Sequence, residues 1–121
     1  EHDHTFDLKH RGTVPVIDMA RVHALAAGLQ QVNTLERIDA AAAAGNLSRE
    51  GAANLTDAME LIGTLRIRHQ GQQLRRGQPA DNFLSPDDLS PLERGHLRDA
   101  FVLINSMQES LGQRYQAGRF A

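Results

Sequence analysis

The stretch from Ser90 to Leu111 reads SPLERGHLRDAFVLINSMQESL. It opens on the clearest helix start in the chain: a Ser cap, Pro in the first turn and Glu at the third helical position. Leu97, Ala100, Phe101, Ile104, Met107, Leu111 and then Tyr115 recur at steps of three and four, which lines one side of a helix with apolar groups. The spacing predicts a helix running to about Gln116. A stripe of this kind needs other helices to bury it, and the rest of the chain supplies them.

Working back from Ser90, Gln78 to Leu89 reads as a loop punctuated by Pro79 and Pro86. Before it lies a long helix, Arg49 to Arg76, capped by Ser48 and stopped by Gly77. Gly51, Gly63 and Gly71 each weaken that helix by up to ~1 kcal/mol relative to Ala. Close helix approach is the simplest reason to keep at least one of them. Asn33 or Thr34 caps a shorter helix, Leu35 to Ala44, closed by Gly45. Pro15 is placed as the first residue of a helix to about Ala27, with Val16, Ile17, Ala20, Ala24 and Leu25 as its inner face and Gly28 as its end. Phe6 to Gly12 reads as extended or irregular, and Glu1 to Thr5 as a polar tail. No strand alternation of useful length and no internal repeat is present. The expected fold is all-α, an antiparallel bundle of four main helices with an extended N-terminal arm, forming one domain over residues 6–121.

Composition fits that reading. The 121 residues are 40% hydrophobic but only 4% aromatic, with no Trp. Helices packed through small and aliphatic side chains suit such a chain better than a β-sandwich does. A formal net charge of −2 gives no overall drive toward nucleic acid or an anionic membrane. With no Cys there is no disulfide framework and no thiolate metal site, which fits a reducing cytoplasm. No signal-peptide pattern and no membrane-length apolar run is readable. The chain begins at Glu1 rather than Met, so it reads as a fragment of a longer protein. The sequons at Asn46 and Asn54 are read as coincidence.

Little of the chain looks chemical. No nucleophile elbow, P-loop or dinucleotide fingerprint occurs. His2 and His4 form a His-x-His pair in a tail, short of the three or four fixed ligands a metal site needs. The exception is Leu65-Arg66-Ile67-Arg68-His69-Gln70. Arg66, His69 and Gln70 share one helical face, which continues the apolar line Leu55, Met59, Ile62. An apolar stripe that turns cationic and hydrogen-bonding implies a polar pocket or docking face at one end of the bundle. The plainer reading is a solvated or salt-bridged face, with Glu60, Glu93 and Asp99 as available partners. Asp81-Asn82 could simply shape a turn.

Four segments in series carry a resemblance. They are Phe6-Asp7-Leu8-Lys9 with Pro15-Val16-Ile17-Asp18-Met19-Ala20-Arg21; Asn33-Thr34-Leu35-Glu36-Arg37-Ile38; Leu65 to Gln70; and Asp81-Asn82 with Leu89-Ser90-Pro91-Leu92-Glu93-Arg94. Their order and spacing resemble the nucleotidyltransferase substrate-binding domain found at the C-terminus of bacterial signalling proteins. The likeness spans about Phe6 to Tyr115. In that family a cyclic-nucleotide-binding-like domain, a pair of CBS repeats and a nucleotidyltransferase domain similar to PII-protein uridylyltransferase usually lie upstream.

The resemblance implies an accessory helical module, packed on a catalytic domain and helping to hold an acceptor or nucleotide. By motif position it implies Lys9, Arg37, Arg66, His69, Gln70, Asp81 and Asn82 as substrate or interface residues. Arg37 and Arg66 would meet phosphate or a carboxylate of the neighbouring domain. His69 and Gln70 would hydrogen-bond a base, ribose or protein acceptor, and Asp81-Asn82 would order the loop over that face. The superfamily holds Mg²⁺ and the nucleoside triphosphate with a Gly-Ser turn and an Asp-x-Asp pair. This chain has neither, so no catalytic residue, cofactor or metal is expected in it. Mg²⁺ and the triphosphate belong to the absent catalytic domain. Expected partners are that upstream domain and a nucleotide or protein acceptor, with a homodimer left open and no nucleic acid or membrane. The rival reading is a protein-interaction or dimerisation module without nucleotide contact.

Overall fold

The computed structural model describes residues 4–31 and 33–120, and the side chains of 115–120 are outside that description. Four helices pack together: α1 (Val14–Ala26), α2 (Thr34–Ala43), α3 (Arg49–Arg75) and α4 (Pro91–Phe120). Two very short strands, β1 (Phe6–Asp7) and β2 (Phe83–Leu84), pair antiparallel, with Phe6 opposite Leu84 and Asp7 opposite Phe83. No helix among the described residues is long and apolar enough to cross a membrane.

The caps fall where the sequence places them. Asn33 accepts the N–H groups of Leu35 and Glu36, at 3.0 and 3.4 Å. Ser48 Oγ accepts the Gly51 N–H at 2.9 Å. Ser90 and Glu93 close a reciprocal box, at 3.0 and 3.1 Å. At the far end of α3, Gly77 adopts φ +71°, so the Gln78 N–H can return to the Gln73 carbonyl at 2.9 Å and finish the helix.

Neighbouring helices join into a ring: α1 on α2, α2 on α3, α3 on α4, and α4 on α1. The pairs α2–α3 and α3–α4 are antiparallel. Ala42 lies by Arg49 and Ala52, Asp39 by Thr56, and Arg68 meets Glu93. Helices α1 and α4 run in the same direction, since Pro15 adjoins Phe101 and Val22 adjoins Leu111. The core draws on every element: Leu8, Val16, Ile38, Leu55, Ile62, Leu65, Leu97 and Ile104 are wholly buried. The α4 stripe is buried at Leu97, Ala100, Phe101 and Ile104 and half-buried at Met107 and Leu111, while the Tyr115 side chain lies outside the described residues.

The arm departs from the sequence expectation. After β1, Lys9–Thr13 forms a π-helical turn that runs straight into α1. The Thr13 N–H reaches the Leu8 carbonyl at 3.0 Å, five residues back. Pro15 has no N–H to offer the Arg11 carbonyl, so the turn ahead of it is released from the four-residue register. Gly12 is therefore helical and buried rather than the end of an extended or irregular stretch. A Cβ there would stand 2.7 Å from Ile62 Cδ1, so the bare backbone lets this turn sit directly on α3. The inner face of α1 is also rotated from the expected one. Val16, Met19, Ala20, His23 and Ala24 are buried, Ile17 is half-buried, and Leu25 is 71% exposed. Buried His23 takes an inward place because Asn46 Nδ2 satisfies its Nδ1 at 3.2 Å.

Candidate functional site

The C-terminal half of α3 buries Leu65 and, four residues on, His69 on the same face. Gln70 and Gln73 flank His69, and the chain turns back over all three after Gly77. His69 Nε2 lies 2.9 Å from Asp81 Oδ1, which also accepts the Phe83 N–H at 3.0 Å. The Asp81 N–H donates to Gln73 Oε1 at 2.9 Å. Gln70 Nε2 donates to the Asp81 carbonyl at 3.0 Å and to Asn82 Oδ1 at 3.3 Å. The Asn82 carbonyl in turn accepts the Leu8 N–H at 2.9 Å. These bonds clasp α3, the loop and the arm into one unit, and β1 pairs with β2 directly beside it.

The clasp is electrostatically settled. Partial burial pushes the Asp81 carboxyl up, but the hydrogen bonds from His69, the Phe83 N–H and Gln73 outweigh it. Together with the attraction of His69 they hold Asp81 below its ordinary 3.8. The polar groups that point inward here already bond one another.

The structure thus brings together four of the seven expected residues: His69, Gln70, Asp81 and Asn82. The other three lie apart from this network. Arg37 Nε donates to the Gln31 carbonyl at 2.7 Å, which ties α2 to the loop before it. Half-buried Arg66 and exposed Lys9 have no side-chain hydrogen bond or ion pair among the described residues. Arg68 bonds Glu93 at 2.8 Å, as the plainer reading of that run anticipates. With the Ser90 N–H, it holds the Glu93 carboxyl down to about 2.

A second polar assembly was not singled out by the sequence. The π-helical turn and the first residues of α1 face α4 across a cleft of about 570 Å³. His10, Arg11 and Pro15 form one wall, and Val102, Asn105, Gln108 and Glu109 lie on the other. The Arg11 guanidinium lies 4.5 Å from the centre of the buried Phe101 ring. Phe101 packs on Phe6 with ring centres 5.9 Å apart, and Arg98 sits 6.0 Å over Phe6. Two arginines therefore bracket an aromatic pair, and neither has a carboxylate partner among the described residues. Stacking holds Arg11 in place while leaving its N–H fork free to bond.

Other groups at this cleft are engaged. His10 Nδ1 lies 2.9 Å from Asp7 Oδ2, and Asn105 donates to Glu109 at 3.4 Å. Burial pushes the Asp7 carboxyl up, but the His10 N–H, the His10 ring and the Lys9 N–H more than offset that, so it too stays below 3.8. The signals in the sequence were the basic triplet Lys9-His10-Arg11 and the line Arg98, Val102, Asn105, Glu109 on the outer side of α4. Their juxtaposition depends on the π turn, which no spacing rule foretold. No group of three or more His, Cys, Asp or Glu that could hold a metal ion occurs among the described residues.

A family model described as "Putative nucleotidyltransferase substrate binding domain" matches residues 1–115. No curated protein and no solved structure matches this chain.

Proposed function

Because the chain belongs to that family of nucleotidyltransferase-associated substrate-binding domains, we propose that it holds the substrate for a neighbouring catalytic domain. The catalytic domain would transfer a nucleoside monophosphate from a triphosphate to a protein or small acceptor. On this reading Mg²⁺ and the reacting phosphates are held by that domain, similar to PII-protein uridylyltransferase, in a bacterial signalling protein with upstream regulatory domains. The present domain contributes binding and orientation, which can supply much of the rate when the bound geometry is right.

The observation that carries the reading is the Arg11 guanidinium, stacked on Phe101 and without a carboxylate partner, at a cleft of suitable size for a nucleotide. A fixed, unneutralised fork of donors is suited to a phosphate of the triphosphate. Lys9, on the same π turn, adds positive charge nearby. Arg66 is free to meet a carboxylate of the catalytic domain. His69, Gln70, Asp81 and Asn82 act one step back, by holding the arm that carries Lys9 and Arg11.

The test is Arg11→Ala in the intact protein. The expected result is a KM for the nucleoside triphosphate raised about tenfold, the equivalent of ~1.4 kcal/mol, with the melting temperature almost unchanged. An unchanged KM would overturn the assignment of the cleft. The rival interaction-module reading draws on one observation, the exposed Ile67 and Leu74 on α3.

A further inference from the structure

Given the nucleotide reading above, we infer that the nucleotide lies along the Arg11 cleft in one direction, phosphates toward Arg98 and base toward Glu109, and that its base carries an exocyclic amino group. The deciding groups stand on one line of α4: Arg98, Val102, Asn105 and Glu109 follow at steps of four, three and four. Arg98 precedes the cleft by one turn, and Glu109 is the last α4 residue on its wall. Eleven residues of helix separate the two, about 16 Å along the axis. An extended nucleoside triphosphate is of comparable length.

One end of this line is cationic. Arg11 lies 4.5 Å from the Phe101 ring centre and Arg98 lies 6.0 Å from that of Phe6, so a single aromatic pair seats both guanidiniums. The acids beside them are turned elsewhere. Asp7 is spent on the His10 N–H and ring, at 3.0 and 2.9 Å, and Asp99 lines the groove between α4 and α3. A phosphate chain leaving Arg11 toward Arg98 therefore meets a second fork of donors. The other end is rich in acceptors. Asn105 Nδ2 donates to Glu109 Oε1 at 3.4 Å, which leaves Asn105 Oδ1 and the second Glu109 oxygen to accept. A carboxylate accepts from the amino group of adenine or cytosine, and repels the carbonyl oxygen that uracil carries at the same place. Gln108, beside them, can give an amide N–H to the ring nitrogen next to that amino group. The reverse orientation would set the triphosphate against Glu109, like charge on like. The catalytic domain must then reach the phosphates from the Arg98 end of α4.

The test is calorimetric titration of this chain with ATP and UTP, each with Mg²⁺, and with inorganic tripolyphosphate. The expected result is ATP bound about tenfold tighter than UTP, the scale of one hydrogen bond to a charged group. Arg98→Ala should weaken ATP, UTP and tripolyphosphate alike, by about tenfold, and leave the ratio of ATP to UTP unchanged. Glu109→Gln should bring ATP and UTP to within about twofold of each other without weakening tripolyphosphate. Both side chains are exposed, so the melting temperature should hold in each variant. Equal affinity of the wild-type chain for ATP and UTP would overturn the inference while leaving a nucleotide site in place. So would an Arg98→Ala variant that changes the ATP to UTP ratio and spares tripolyphosphate. Failure of ATP and tripolyphosphate alike to bind would overturn it together with the nucleotide reading.

Discussion

The clasp around Asp81 and the cleft beside Arg11 are built from the same kinds of side chain and end in opposite states. In the clasp, His69, Gln70 and Gln73 find partners in one loop, and each inward donor has an acceptor. In the cleft, Arg11 is positioned by an aromatic ring, which fixes its place without neutralising its charge. Satisfied polarity holds a fold together, whereas fixed and unsatisfied polarity is available to a ligand. In the sequence run with the most chemical appearance, Arg68, His69 and Gln70 are bonded within the fold. His10 and Arg11, in an arm that reads from sequence as extended or irregular, line the cleft.

The widest separation between the two regions should appear in stability. His69→Ala removes a buried ring and its bond to Asp81, and should cost about 2 kcal/mol in urea denaturation. Arg11→Ala should cost under ~1 kcal/mol in the same experiment, the scale of an exposed cation–π contact. Equal losses would erase the distinction. Gly12→Ala probes the joint between the regions. Its new methyl must displace Ile62, at a cost of about 1–2 kcal/mol, and should also disturb the neighbouring Arg11.

A pH series sharpens the comparison further. Asp81 has its folded pKa below the ordinary 3.8. The unfolded chain therefore binds more protons as acid is added. The contribution of Asp81 is present in full above its ordinary range and is lost as pH falls through the folded value. The expected result is that wild type loses stability steeply toward acid while Asp81→Asn starts lower and changes less. The smallest effect should come from Glu93→Gln. The Glu93 carboxylate faces solvent with its pKa near 2, so its pair with Arg68 is screened, and raised salt should shrink the difference from wild type.

The four helices were legible because they rest on local rules. Asn33, Ser48 and Ser90 cap, Gly77 ends α3, and the α4 stripe falls at steps of three and four. The arm was not legible in that way. Leu8 is wholly buried, yet its N–H bonds the Asn82 carbonyl, far along the chain. The two-residue strands are too short to show alternation, and the π turn follows from a proline that on its own signals an ordinary helix start. The resemblance marked Asp81-Asn82 and Leu65 to Gln70 as belonging together, and the clasp joins them. It gave no weight to Arg11, whose position depends on Phe101 some ninety residues later.

The most direct measurement of the central claim is an NMR titration of the labelled domain with ATP and with UTP, each with Mg²⁺. Saturable shifts should cluster on Arg11, Phe101, Asn105 and Gln108, leaving His69 and Gln70 in place and absent altogether in Arg11→Ala. Shifts centred instead on Arg66, His69 and Gln70, and unchanged in Arg11→Ala, would contradict the account and make the clasp the binding site.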